Sequence, residues 1–440
     1  PLLRVFDVYT TGKIIIGFAV MLWLVAPAVL HRALWKEWSL WPLLAALVVY
    51  NATMTWGFID YYITSALAMI ALAGWIATEN AKRLPRIAAF TVIGFLIYCC
   101  HLQGFAVFGL LTGGYELGKM VRDKKLTPRN VIVTGLTLAP VFLPALLHFL
   151  YTSLTLPPVH RLESVSTTWA DRGLLLASPF MYGMHTDGVT ARHDISTASA
   201  FLIVAAFGLL WQGKNIGLHK YMAAAVVITG ALALVVPPQV LGISFTHYRL
   251  PFVAIALLVA ATRPLKTNDA TVRVLAAAFV VVLGLRLSYM TDVWKQYDAG
   301  VQEFIAAAKV IRPGDRALVL NRDYPAGYVE HLHTGSYLTI ARQAFIPNLF
   351  TLMPYFKAKG DFARLSPPTA MHPADARVLQ VAKEGKDKGL AEPGNAYFRT
   401  WWKDFDYVAV YERPEAKPLL PKLLKPVTRG SFFTIYKVRK

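Results

Sequence analysis

Residues 87–130, IAAFTVIGFLIYCCHLQGFAVFGLLTGGYELGKMVRDKKLTPRN, decide how the whole chain is read. Two short or kinked apolar limbs flank the break Cys100-His101-Leu102-Gln103-Gly104, and the second runs straight into Lys119, Arg122, Lys124, Lys125 and Arg129. Clustered lysine and arginine beside a membrane helix stays in the cytoplasm. That basic turn therefore orients every other crossing.

Working outward from it, the same alternation recurs. Residues 13–30 read as a first span ending at Arg32 and Lys36, and residues 39–77 as a helical hairpin whose tip, Trp56 to Tyr61, lies outside. The hairpin returns to Lys82, Arg83 and Arg86. On the C-terminal side of the basic turn, residues 131–150 cross outward into a long connection at 152–195, and a loop of that length is functional or disordered. Residues 195–211 return to Lys214 and Lys220, 221–236 cross out to His247-Tyr248-Arg249, 250–261 return to Arg263, and 274–290 exit. The expected fold is thus a polytopic α-helical membrane protein of roughly nine to ten helices, some short or kinked. Its domains are a multi-pass unit at 1–291 and a small C-terminal α/β domain at 292–440, placed in the periplasm of a bacterial cell whose inner membrane holds the rest.

Composition agrees with that class. Of 440 residues, 55% are hydrophobic and 16% charged, with a mean hydropathy of +0.44, too apolar for an ordinary soluble domain. A net charge of +19 would point to nucleic acid in a soluble protein. Here much of the excess flanks membrane spans, where it orients helices and meets anionic headgroups, so no nucleic-acid partner is expected. Cys99 and Cys100 are adjacent in an apolar run, a poor arrangement for a disulfide or a metal, and read as small buried hydrophobes. The chain opens at Pro1 without methionine, and its first apolar run starts almost at once, which suggests a segment upstream.

In the C-terminal part, 301–311 has helical spacing, and 316–320, 407–411 and 432–438 are β-prone runs; 361–395, rich in proline, lysine and glycine, reads as loop. No phosphate-binding glycine loop, zinc pattern or nucleophile elbow occurs in it.

Chemistry then falls to the outer loops. Asp60, beside Tyr61 and Tyr62, can act as a base or bind a cation, or simply rest solvated at the interface. His101 interrupts apolar sequence, either to bind a ligand phosphate or to satisfy backbone at the break. The long connection offers His160, Arg161, Glu163, Asp171, Arg172, His185, Asp187, Arg192, His193 and Asp194. His185-Thr186-Asp187 has the donor types for a divalent metal ion or for acid–base work, and so does Arg192-His193-Asp194; neither spacing is a specific metal signature, and a solvated surface loop is the favoured account of any single member. Arg249 sits at headgroup depth, where its planar fork suits a lipid phosphate, or snorkelling to ordinary phospholipid.

The run His247-Tyr248-Arg249-Leu250-Pro251-Phe252, followed by an Ala/Leu/Val helix and Arg263-Pro264, resembles the late segment of GT-C-type membrane glycosyltransferases. Helices of unequal length, long outer loops and a C-terminal α/β domain outside the membrane agree with the resemblance. It implies transfer of a sugar from a polyprenyl-phosphate carrier to a lipid, glycan or protein acceptor on the outer face. By that resemblance Arg249 contacts the carrier phosphate with His247 near it; from their own chemistry and placement Tyr248, His101 and Arg161 are further candidates to bind the lipid phosphate. The family's principal base follows its first helix and has no counterpart here; it is expected upstream of Pro1, or its role falls to Asp60, Glu163 or Asp171. The implied reaction is inverting. A carboxylate takes the acceptor's proton, the freed oxygen attacks the anomeric carbon, and the lipid phosphate leaves, stabilised electrostatically.

The competing reading is a non-catalytic integral subunit of a membrane assembly, docking other membrane subunits through its basic face and outer domain. A transporter is disfavoured by the lack of an evident inverted repeat and the scarcity of charge in the spans. Expected partners are therefore membrane lipids and a polyprenyl-phosphate-linked sugar, or protein subunits.

Overall fold

The computed structural model describes residues 2–155, 172, 178–180, 193–240, 243–265, 269–322, 331–348, 360–365, 373–383 and 398–440. The chain divides into two compact units, 1–184 with 190–287, and 185–189 with 288–440.

The first unit is built from helices: α1 Val8–Trp35, α2 Ala52–Thr55, α3 Ile59–Ala77, α4 Arg83–Cys100, α5 Leu102–Arg122, α6 Pro128–Thr155, α7 His193–Gln212, α8 Ala223–Val235 and α9 Leu250–Ala261. A tenth, α10, spans Asp269–Ala307, starting in this unit and ending in the second. Among the described residues, α1, α3, α4, α6 and the apolar run within α10 are long and apolar enough to cross a membrane. Their outward faces carry large apolar side chains such as Leu136, Leu147, Val280 and Val281, each more than half exposed. A water-soluble protein does not expose apolar surface on that scale; a bilayer supplies the matching solvent, and the chain is a membrane protein.

Local chemistry explains where the helices begin, end and approach. Asp7 caps α1, its carboxylate accepting from the Tyr9 and Thr10 amides at 2.9 and 3.0 Å, and Lys36 closes it in the left-handed conformation. On α5, a Cβ placed on Gly114 would lie 2.6 Å from the Ala225 Cα on α8, so only glycine permits that approach. Trp23 of α1, Tyr62 of α3 and Phe252 of α9 meet in the core, with Trp23 Nε1 donating to the Tyr62 carbonyl at 2.7 Å.

Two expectations are corrected here. Residues 39–55 do not form the outgoing limb of a helical hairpin: they form a 3-10 helix at Trp41–Val48, an irregular stretch, and the single turn α2. Side chains of neighbouring elements take over backbone bonds that an α-helix would have made itself. Cys99 and Cys100 are exposed rather than buried, at the C-terminal end of α4.

The second unit carries a five-stranded mixed sheet: β1 Ala317–Asn321, β2 Ala374–Asp375, β3 Tyr407–Tyr411, β4 Leu424–Arg429 and β5 Phe433–Val438. Its order is β2-β1-β3-β5-β4, with β1 parallel to β2 and β3, and β5 antiparallel to β3 and β4. Both faces are covered. Phe398, Trp401 and Phe405 lie in one core cluster, while Phe304 and Phe432 lie in another. The strand at 424–429 escapes an alternation pattern because it is a mostly exposed edge strand holding Pro426, a residue that edges tolerate. Within 361–395, Asp361–Arg364 and Arg377–Lys383 are short helices and Ala374–Asp375 is a strand, so part of the expected loop is ordered secondary structure.

Candidate functional site

Three helices of the first unit start at one place. The first turn of α3 brings Phe58, Asp60 and Tyr61; the first turn of α5 brings His101 and Gln103; and Arg249 is the residue from which α9 departs. The Arg249 guanidinium stacks over Phe58 at 4.0 Å and faces Tyr61 at 5.4 Å, and its Nη1 donates to Gln103 Oε1 at 2.7 Å. The Tyr61 hydroxyl donates to the Arg249 carbonyl at 2.9 Å. Arg249 itself is only 5% exposed.

The electrostatics of this meeting point favour negative charge. Each helix start carries amide hydrogens without intrahelical partners and the positive end of its macrodipole. Neither Phe58 nor Arg249 caps its helix through a side chain. His101 does cap α5: its Nδ1 accepts from the Gln103 amide at 3.1 Å, so the neutral ring carries its proton on Nε2. That Nε2 lies 3.4 Å from Arg249 Nη1. Two hydrogen-bearing nitrogens cannot serve each other, but one acceptor oxygen can take both hydrogens. Guanidinium, imidazole N–H and three helix starts thus form a corner with the chemistry to receive an anion. Asp60 is exposed at its mouth, near enough for its charge to bear on Arg249.

Among the residues singled out from sequence, Asp60, His101 and Arg249 come together here. Tyr248 contributes backbone, its carbonyl accepting from Thr53 Oγ1 at 3.1 Å, and its ring packs 4.3 Å from that of His247, which is buried beside the corner. His160, Arg161, Glu163, Asp171, His185, Asp187 and Arg192 lie outside the described residues, as do the side chains of His193 and Asp194. Arg172 donates to the Leu234 carbonyl at the end of α8 at 2.7 Å. Among the described residues no three His, Cys, Asp or Glu side chains gather as metal ligands.

At their far ends, α3, α5 and α9 lead to the basic stretches at 82–86, 119–129 and 263. Candidate chemistry and clustered positive charge therefore occupy opposite ends of the same helices. Sequence reasoning missed Gln103 as a partner of Arg249, and missed Arg286 altogether. The signal for Arg286 was available: it is a lone cation in the apolar run of α10, and an ionised residue within a span is costly enough to need a reason. Comparison with family models, with curated proteins and with solved structures returns no match.

Proposed function

We propose that the chain is a GT-C-like membrane glycosyltransferase that takes a sugar from a polyprenyl-phosphate carrier. The observation that carries this reading is the anion-binding corner around Arg249, with the exposed carboxylate of Asp60 at its mouth. The carrier phosphate docks against Arg249 Nη1 and His101 Nε2. Asp60 removes the proton of the acceptor hydroxyl, the oxygen attacks the anomeric carbon with inversion, and the bond to the phosphate oxygen breaks. Negative charge growing on that leaving oxygen is stabilised by the guanidinium and by the three helix starts. In this reading nine or ten helices cross a bacterial inner membrane, the basic turns are cytoplasmic, and the corner and the second unit face the periplasm.

Extraction of lipids bound to the purified full chain tests it: polyprenyl phosphate is expected in wild type and depleted in Arg249→Met. Asp60→Asn is expected to retain the lipid and lose transfer to an acceptor. Stoichiometric protein partners with no bound polyprenyl phosphate would instead support the subunit reading. Cysteines placed at Lys124 and Lys417 are expected to label from opposite sides of the membrane; labelling from one side would overturn the topology.

A further inference from the structure

The 3-10 helix ends at Val48, and residues 49–51 after it are backbone without regular structure inside a membrane unit, where water is scarce and each polar group must find a protein partner. Three successive carbonyls are met by three side chains. Val48 accepts from Asn51 Nδ2 at 2.7 Å, Val49 accepts from the Tyr62 hydroxyl at 2.6 Å, and Tyr50 accepts from the Arg286 guanidinium. Arg286 is fully buried in the apolar run of α10, and its Nη1 also donates to the Phe180 carbonyl at 3.0 Å. Its rigid fork of donors bridges two carbonyls that no shorter or neutral side chain could reach together.

From Tyr50 the chain leads to the anion-binding corner. Asn51 caps α2 by accepting from the Met54 amide at 3.1 Å. Thr53, on that turn, donates through Oγ1 to the Tyr248 carbonyl, one residue before Arg249, and through its own carbonyl accepts the Phe58 amide at 3.2 Å. Phe58 is the ring on which the Arg249 guanidinium lies. Both the backbone before Arg249 and the platform beneath it are therefore held by the 50–58 segment.

We propose that Arg286 is a positioning residue for the Arg249 corner, acting through residues 50–58; this rests on the reading of that corner as the phosphate site. Loss of the guanidinium takes from the Tyr50 carbonyl the donor that links it to α10. The segment then shifts to satisfy it, carrying Thr53 and Phe58 away from Arg249.

The test uses the full chain in detergent with farnesyl phosphate as the probe, titrated against wild type, Arg249→Met, Arg286→Met, Thr53→Val and the Arg286→Met/Thr53→Val double variant, with a thermal midpoint for each. Arg286→Met and Thr53→Val are each expected to weaken binding about tenfold, the scale typical of residues that orient a ligand-binding group. The double variant is expected to be no weaker than the worse single, since both cut one path. Wild-type affinity in Arg286→Met overturns the proposal, as do fully additive losses. If Arg286→Met does not fold, Thr53→Val decides alone: tenfold weakening at an unchanged thermal midpoint supports positioning, and unchanged binding overturns it. Wild-type affinity in Arg249→Met would show that the phosphate reading itself has failed, an outcome distinct from these.

Discussion

Arg249 in the first unit and Glu412 in the second are both buried charges, and their surroundings treat them in opposite ways. Glu412 is matched: Oε1 accepts from the Tyr436 hydroxyl at 2.6 Å and Oε2 from Arg322 Nη1 at 3.3 Å. Around Arg249 the groups are of another kind: the neutral amide of Gln103 accepts from Nη1 at 2.7 Å, and the His101 ring and the starts of three helices stand beside it. A matched buried charge stabilises the fold that encloses it, because removing one partner strands the other. A buried cation held by a neutral amide beside helix starts has the chemistry to receive a ligand of opposite charge.

Substitution at the two charges separates these roles most sharply. Under the proposed transfer reaction, Arg249→Met is expected to lower activity by about 100-fold or more, the usual cost of losing one donor to developing negative charge, with little change in unfolding. Glu412→Gln is expected to do the reverse, costing about 2 kcal/mol of stability, as hydrogen bonds to charged groups commonly contribute, while farnesyl phosphate binding stays at the wild-type level. Equal thermal losses in both variants would erase the contrast. A titration and denaturation series on the two proteins measures both quantities.

Packing in the first unit gives the next effect. Gly114→Val would force α5 away from α8, since even a Cβ there meets Ala225, and overpacking of this kind costs about 1–3 kcal/mol. A lowered thermal midpoint in detergent is the expected result. An unchanged midpoint would mean that the two helices slide apart freely.

Acid exposes a contrast within the second unit. His331 is buried, its ring stacked 4.0 Å from Phe432 and edge-on to Tyr297, and burial pushes its pKa from 6.5 down to about 4. Between those values the unfolded chain takes up a proton that the folded one refuses. Its contribution to stability is therefore complete above pH 6.5 and declines as the pH falls toward 4. Urea unfolding across that window checks the slope, and His331→Phe is expected to flatten it. The smallest effect belongs to Tyr411→Phe, which removes the hydroxyl that accepts the Gly335 amide at 2.6 Å and should cost about 1 kcal/mol in the same assay.

Much of this fold is legible residue by residue. The break at Cys100 to Gly104 ends α4 and starts α5, because His101 turns into extended backbone and caps the next helix with its ring. The runs at 407–411 and 432–438 stay largely apolar as buried strands must, and the strands form at Tyr407–Tyr411 and Phe433–Val438. Residues 41–48 misled because a run of apolar residues has the same composition whether its backbone is α-helical or 3-10. In the candidate site, Arg249 and His101 stood out as polar interruptions of apolar sequence. Gln103 and Phe58 did not, since an amide and a ring have no distinctive local pattern.

Apolar run length and the placement of lysine and arginine are properties of short stretches, so the amino-acid sequence alone determined the membrane class, most helix limits and which helix ends carry positive charge. The joining of Arg249 to Gln103 and His101 spans 146 and 148 residues, and that of Arg286 to Tyr50 spans 236. Local periodicity holds no information at such separations. Only tertiary packing, with α3 against α5 and Phe252 of α9 against Tyr61 and Tyr62 of α3, brings their starts and the donors they carry to one point.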